Sequence, residues 1–167
     1  MVVVILVVLA GAIGPRLAAM GGREVRASAL SVGDLVSVAA RRDALTSQRV
    51  ALEYDGERSR FVLMTVDAAS PGVWREDKLM PPLDLGDTRL EASVDGVGLD
   101  AKGWRVEFPQ GSRRPALQIL LSDAKNKEHW RVELPSSAAH AAVSAGNSLG
   151  MSDQAVDLDA GGGTSPW

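Results

Sequence analysis

The chain has no cysteine in 167 residues, which removes thiolate metal sites, disulfide frameworks and cysteine nucleophiles from consideration. Histidine is nearly as scarce. His129 and His140 stand far apart in sequence and neither has a partner at zinc-site spacing, so surface or structural roles are expected for both. Basic charge is not in excess: the formal net charge is -3, and Lys and Arg are scattered among acids rather than gathered in a stripe. Without a basic field, nucleic acid is excluded as a partner. No Gly-x-Ser-x-Gly elbow, Gly-rich phosphate loop or Ser/His/Asp set is legible, so neither an enzymatic activity nor a cofactor nor a small-molecule substrate is expected.

The acidic residues give no stronger signal. Asp84, Asp87 and Glu91 lie close in sequence, but carboxylates at a turn are common on any surface and need a cleft before they can act as acid and base. Asp153, Asp157 and Asp159 lack the order of a calcium loop and fit a solvated acidic tail. Of the four tryptophans, Trp74, Trp104 and Trp130 are expected in the core or packed on a sheet, with alternation around Trp104 and Trp130 pointing to burial.

The most informative absence is at the start. Met1 to Gly14 reads MVVVILVVLAGAIG, with no charged or polar side chain, and Pro15-Arg16 follows. At about 1.5 Å per helical residue the run covers roughly 21 Å, short of the roughly 30 Å hydrocarbon core of a bilayer. Three readings compete. A secretory signal peptide would open with a basic stretch, which is absent, although Ala10-Gly11-Ala12 resembles a small-residue cleavage site. A buried core helix would show a polar face if it lay at the edge of a small domain. The third reading is an anchor helix whose first residues are missing.

Beyond Gly21-Gly22 the pattern becomes amphipathic, with Val25, Ala29, Val32, Val36 and Ala39 or Ala40 forming one buried stripe, and Asp34, Ser37, Arg41 and Arg42 largely off it. The helix is expected to end at about residue 47 and to bend at Pro15. From Arg49 the period changes to two. Strands are expected at 50–54, 61–66, 88–94, 104–108, 116–121 and 129–134, with an irregular loop over 68–87 and turn chemistry at Asp95-Gly96 and Lys102-Gly103. The expected fold is α+β: a long kinked N-terminal helix packed on a small antiparallel sheet. Three parts follow: a hydrophobic anchor helix over 1–22, a domain over 23–135, and a flexible acidic tail over 136–167, largely disordered or loosely docked.

A hydrophobic helix that meets a proline, continues as an amphipathic helix and feeds an antiparallel sheet resembles the layout of type IV pilin-like proteins. The run Met1 to Leu17 is similar to the latter part of a prepilin N-terminal segment. Ala44-Leu45-Thr46-Ser47-Gln48-Arg49-Val50-Ala51-Leu52 and Trp104-Arg105-Val106-Glu107-Phe108-Pro109-Gln110-Gly111 resemble passages of minor pseudopilins of the GspH/FimT type. The basic leader ending in Gly, and the Phe-Thr-Leu-Ile-Glu that follows it in that family, are not present.

The resemblance implies a structural minor subunit of a type II secretion or type IV pilus-like filament, held in the bacterial inner membrane before assembly, with its C-terminal domain in the periplasm and other pseudopilins or pilins as partners. Anchoring and filament packing would then fall to Val2, Val3, Val4, Ile5, Leu6, Val7, Val8, Leu9, Ala10, Gly11, Ile13, Gly14, Pro15 and Leu17, with Ala10, Gly11 and Gly14 letting helices approach closely. The alternative is a signal-peptide-bearing periplasmic or secreted β-rich binding protein.

These readings differ at the mature N-terminus. The pilin-like reading expects an upstream frame encoding a Lys/Arg-rich leader and Gly-Phe-Thr-Leu-x-Glu, and a mature chain beginning with methylated Phe; mass spectrometry showing cleavage after Ala12 would favour the secreted binder.

Overall fold

The computed structural model describes residues 2–46, 48–67, 70, 72–109, 113–125 and 127–146, and for residues 2–22 the backbone alone. One helix, α1 (Val2–Leu45), opens the chain and runs 44 residues without interruption through Pro15, about 66 Å at helical rise. It ends two residues before the expected boundary, where Thr46 returns both its main-chain N–H and its hydroxyl to the Arg42 carbonyl.

Among the described residues ten strands follow: β1 (Val50–Asp55), β2 (Arg60–Val66), β3 (Trp74–Glu76), β4 (Leu83–Asp84), β5 (Arg89–Val94), β6 (Val97–Gly98), β7 (Gly103–Phe108), β8 (Leu117–Ser122), β9 (His129–Leu134) and β10 (Ala142–Ala145). The six strands expected from alternation are all present within a residue or so of their bounds. They form two sheets rather than the single small sheet expected. One has the order β3-β2-β1-β7, with β4 also on β2; the other is β10-β9-β8-β5-β6, and every pairing is antiparallel. Strand periodicity reports a face, not a neighbour, so the crossover that takes β7 back to β1 was not legible locally.

Two further expectations change. The loop over 68–87 contributes β3 and β4, pairs too short to create a periodic signal. The segment beyond residue 135, expected as a largely disordered or loosely docked tail, carries β10, which pairs with β9 from Ala142↔Glu133 to Ala145↔Trp130. Its Ala/Ser composition lacks strand propensity, and pairing with β9 supplies what composition does not. The acids Asp153, Asp157 and Asp159 lie outside the described residues.

The β5–β6 hairpin shows how turn chemistry sets register. Asp95 and Gly96 take φ values of 49° and 81°, the left-handed pair that a two-residue hairpin matching strand twist requires. Asp95 then exchanges bonds with Ala116 at the head of β8, donating its N–H and accepting the Ala116 N–H on its carboxylate, both at 2.9 Å.

A single apolar core joins α1 to both sheets. Val25, Ala29, Val32, Leu35, Val36, Ala39 and Ala40 meet Val50, Leu52, Phe61, Leu63 and Phe108 of the first sheet and Leu117, Ile119, Leu121, Val132 and Leu134 of the second. Each large side chain fully buried here stabilises by about 1.5–3 kcal/mol. The helix lies mainly against β9 and touches β1, β8 and β10 as well. Its contact face is small, and Gly33 is the extreme case: a Cβ there would lie 2.6 Å from a Val143 methyl of β10 and 3.9 Å from Val132.

Gly33→Ala therefore opposes a helix-propensity gain of about 1 kcal/mol with overpacking of about 1–3 kcal/mol. The expected result is a lower melting temperature, and the added Val143→Ala should turn the loss into a gain; additive effects of the two changes in a double-mutant cycle would show that β10 does not rest on Gly33.

Candidate assembly surface

From Arg23 onward α1 shows two faces. The inner one is the small apolar stripe described above. The outer one follows the same three- and four-residue spacing through Arg23, Ala27, Leu30, Asp34, Arg41 and Leu45, all exposed, with Val38 half-buried beside them. Leu30 is 48% exposed and Leu45 82%. An outward stripe that mixes Ala and Leu with charges of both signs can lie against another helix.

The residues expected to carry anchoring, Val2 through Leu17, occupy the first turns of the same helix. Their side chains lie outside the described residues, so no contact among them is assigned. Among the described residues no helix is long and apolar enough to cross a membrane.

What orients the outer face is the locking of the inner one. Ser37, expected off the buried stripe, is buried on it: its hydroxyl donates to the Gly33 carbonyl at 2.7 Å and accepts the Ala141 N–H at 2.9 Å. A single Ser at helical spacing reads as polar, and only the arrival of residues 138–141 from the far end of the chain explains its burial. Arg114 makes a second tie. It is buried, and its guanidinium donates to the carbonyls of Ala40 on α1 and Ala138 on the same returning segment. At the last helical turn Arg42 pairs with Asp77 of the β3–β4 connection, whose carboxylate also accepts the N–H groups of Leu79 and Met80.

Trp74, Trp104 and Trp130 are half-buried on the sheets, Trp104 and Trp130 packed against the core. Trp104 is half-buried against Tyr54 and Phe61, with ring centroids 5.9 and 5.7 Å away. Trp130 carries the Arg26 guanidinium 5.4 Å above its ring, tying the outer side of α1 to β9. Trp74 caps a separate cluster of Ala51, Val62 and Met64 on the outer face of the first sheet, with Arg49 at 5.4 Å and Arg105 at 5.7 Å from its ring. Of the two placements expected for them, the core or a sheet surface, all three take the second.

The acids singled out earlier do come near one another. Asp84 and Asp87 line an open groove of about 630 Å³ together with Glu24 of α1 and Asp123 and Lys125 of the β8–β9 turn. Glu91 lies in the next groove, beyond Asp87. Ser28 also lines this groove, no histidine does, and no metal-binding cluster is found among the described residues. His129 opens β9 opposite Ser122, and His140 is exposed on the returning segment.

With this geometry in hand, one solved structure is similar in fold: the minor pseudopilin EpsH from the type 2 secretion system of Vibrio cholerae. The match has a TM-score of 0.56 at 16% identity and covers 73% of this chain and 97% of that one. No protein-family model matches the chain, and no curated protein does. The α+β fold is thus pseudopilin-like.

One half-buried group near the second tie resists its surroundings. Asp43 has a carboxylate oxygen without a hydrogen-bond partner among the described residues, and burial raises its pKa, with the Arg114 charge offsetting only part of the rise. The folded state therefore favours the protonated form, and stability falls as pH rises through the folded-state value. Asp43→Asn is expected to raise the melting temperature at neutral pH and to have no effect in acid below the ordinary carboxylate range; a lower melting temperature at neutral pH would mean that attraction to Arg114 outweighs burial.

Proposed function

We propose that the chain is a structural minor subunit of a pseudopilin filament of the type II secretion or type IV pilus kind, held in the inner membrane by the N-terminal part of α1 before assembly. The observation that carries this reading is a single continuous helix. Its first residues are wholly uncharged, and its second half is keyed by small residues onto two antiparallel sheets in a fold similar to that of EpsH.

The division of labour follows from the two halves of α1. Val2 to Gly14 offers nothing to water and is suited to lipid and then to the apolar interior of a filament. The outer stripe from Arg23 to Leu45 continues along the same rod and supplies apolar and charged contacts to neighbouring helices. The domain behind it needs no catalytic centre for such a role. Its task is to fix the direction in which the stripe faces, which the ties at Ser37 and Arg114 accomplish.

A charge in the apolar run separates anchoring from folding. Val8→Lys places an ammonium in the segment at a cost of about 2.5–3.5 kcal/mol at a bilayer centre. The variant is expected to leave the membrane fraction and fail to enter filaments, while the far-ultraviolet circular dichroism of the sheets is unchanged. Normal fractionation and incorporation of Val8→Lys would overturn the reading.

A further inference from the structure

The first sheet ends at β7, whose far flank is open among the described residues. β7 pairs with β1 along its whole length and, among the described residues, with no strand on its other side. Outside that ladder, no hydrogen bond among the described residues reaches the main chain of residues 104–108. A strand edge of this kind is a template for a further strand.

The residues along the edge are complementary to themselves. Val106 and Phe108 point inward and are buried, with half-buried Trp104 on the same side, while Arg105 and Glu107 are exposed on the outer face. The charges already belong to an alternating row: Arg105 Nε lies 2.7 Å from Glu53 Oε2, and Arg49 Nη2 lies 2.8 Å from Glu107 Oε2. Trp74 stacks beneath Arg49 and Arg105 and keeps both guanidinium groups over the outer face.

We propose that β7 pairs antiparallel with β7 of a second copy of this chain, about a two-fold axis at Val106. In that register Arg105 of each copy faces Glu107 of the other, Val106 faces itself, and Trp104 faces Phe108. The seam is bounded where Gly103 meets Pro109, which has no N–H to donate. The row of charges then continues without a break in alternation, from Glu53 through Arg105 to Glu107 and Arg49 of the second copy. An isologous contact of this kind is closed by its own symmetry and stops at two copies.

Other registers lose this match. Centring on Arg105 or Glu107 opposes like charges, and a shift of half a residue sets charged positions against apolar ones. The second copy is therefore favoured over an unrelated strand, because the edge supplies both members of each pair. The pairing is separate from the helix-mediated role proposed above and does not depend on it.

The cysteine-free chain makes the seam directly readable. Opposed residues in antiparallel strands have Cβ atoms about 4.5–5.5 Å apart, and diagonal ones about 7–8 Å; a disulfide accepts the first spacing with slight adjustment and not the second. The full chain is prepared in detergent micelles as Arg105→Cys and as Glu107→Cys, and each is oxidised alone and after mixing. The mixture is expected to give several times more disulfide-linked dimer than either variant alone. Val106→Cys, on the axis, is expected to crosslink with itself. Absence of dimer in both tests overturns the proposal, and so do equal yields from the mixture and the single variants, which random association through α1 would produce.

Discussion

The close approach of α1 to two sheets at once is the constraint on which the rest of the structure depends. A helix can touch both sheets only if its inner face is thin, and of its buried apolar positions 25, 29, 32, 33, 35, 36, 39 and 40 only Leu35 is larger than Val. The bulk of the core is then supplied by the strands, where Phe61, Phe108, Leu52, Leu63, Ile119 and Leu121 are fully buried. Exchanging this arrangement, with large residues on the helix and small ones on the strands, would push the sheets apart and open the shared core to water.

From that packing follows the use made of the chain's last described residues. A thin helix face leaves room for β10 to cross it at Gly33, and the segment leading into β10 brings its main-chain polar groups against an apolar surface. Those groups need partners, because an unsatisfied buried amide costs about 1–3 kcal/mol. Ser37 and Arg114 supply them from opposite directions, one from the helix and one from the β7–β8 connection. The same two residues bind the start of the domain to its end, so the outer stripe of α1 is oriented by contacts far away in sequence. A helix free to rotate against its domain would present no consistent outer surface.

The sheets contribute differently to the surface. The second is closed at one edge by the short, uncharged β10 and at the other by the two-residue β6. The first ends in a longer strand with alternating charge, and charges on an edge ordinarily discourage pairing with other chains. At β7 their order around Val106 makes one register favourable while leaving its neighbours unfavourable, which turns a general deterrent into a specific match.

The amino-acid sequence by itself determined the elements: a helix with an uncharged first third and a stripe at 25, 29, 32, 36 and 39–40, and six strands with their hairpin turns. These are properties of period and turn chemistry, which act over a few residues and are written locally. It also held the family-like order of elements, to which the fold similar to EpsH corresponds. Only the tertiary structure decided that the strands divide into two sheets, that β7 returns to β1, that β10 forms from an Ala/Ser segment, and that Ser37 and Arg114 are buried ties rather than surface polar residues. Each of these rests on a neighbour distant in sequence, and whether a polar side chain is a solvated one or a buried partner depends on what main chain arrives beside it.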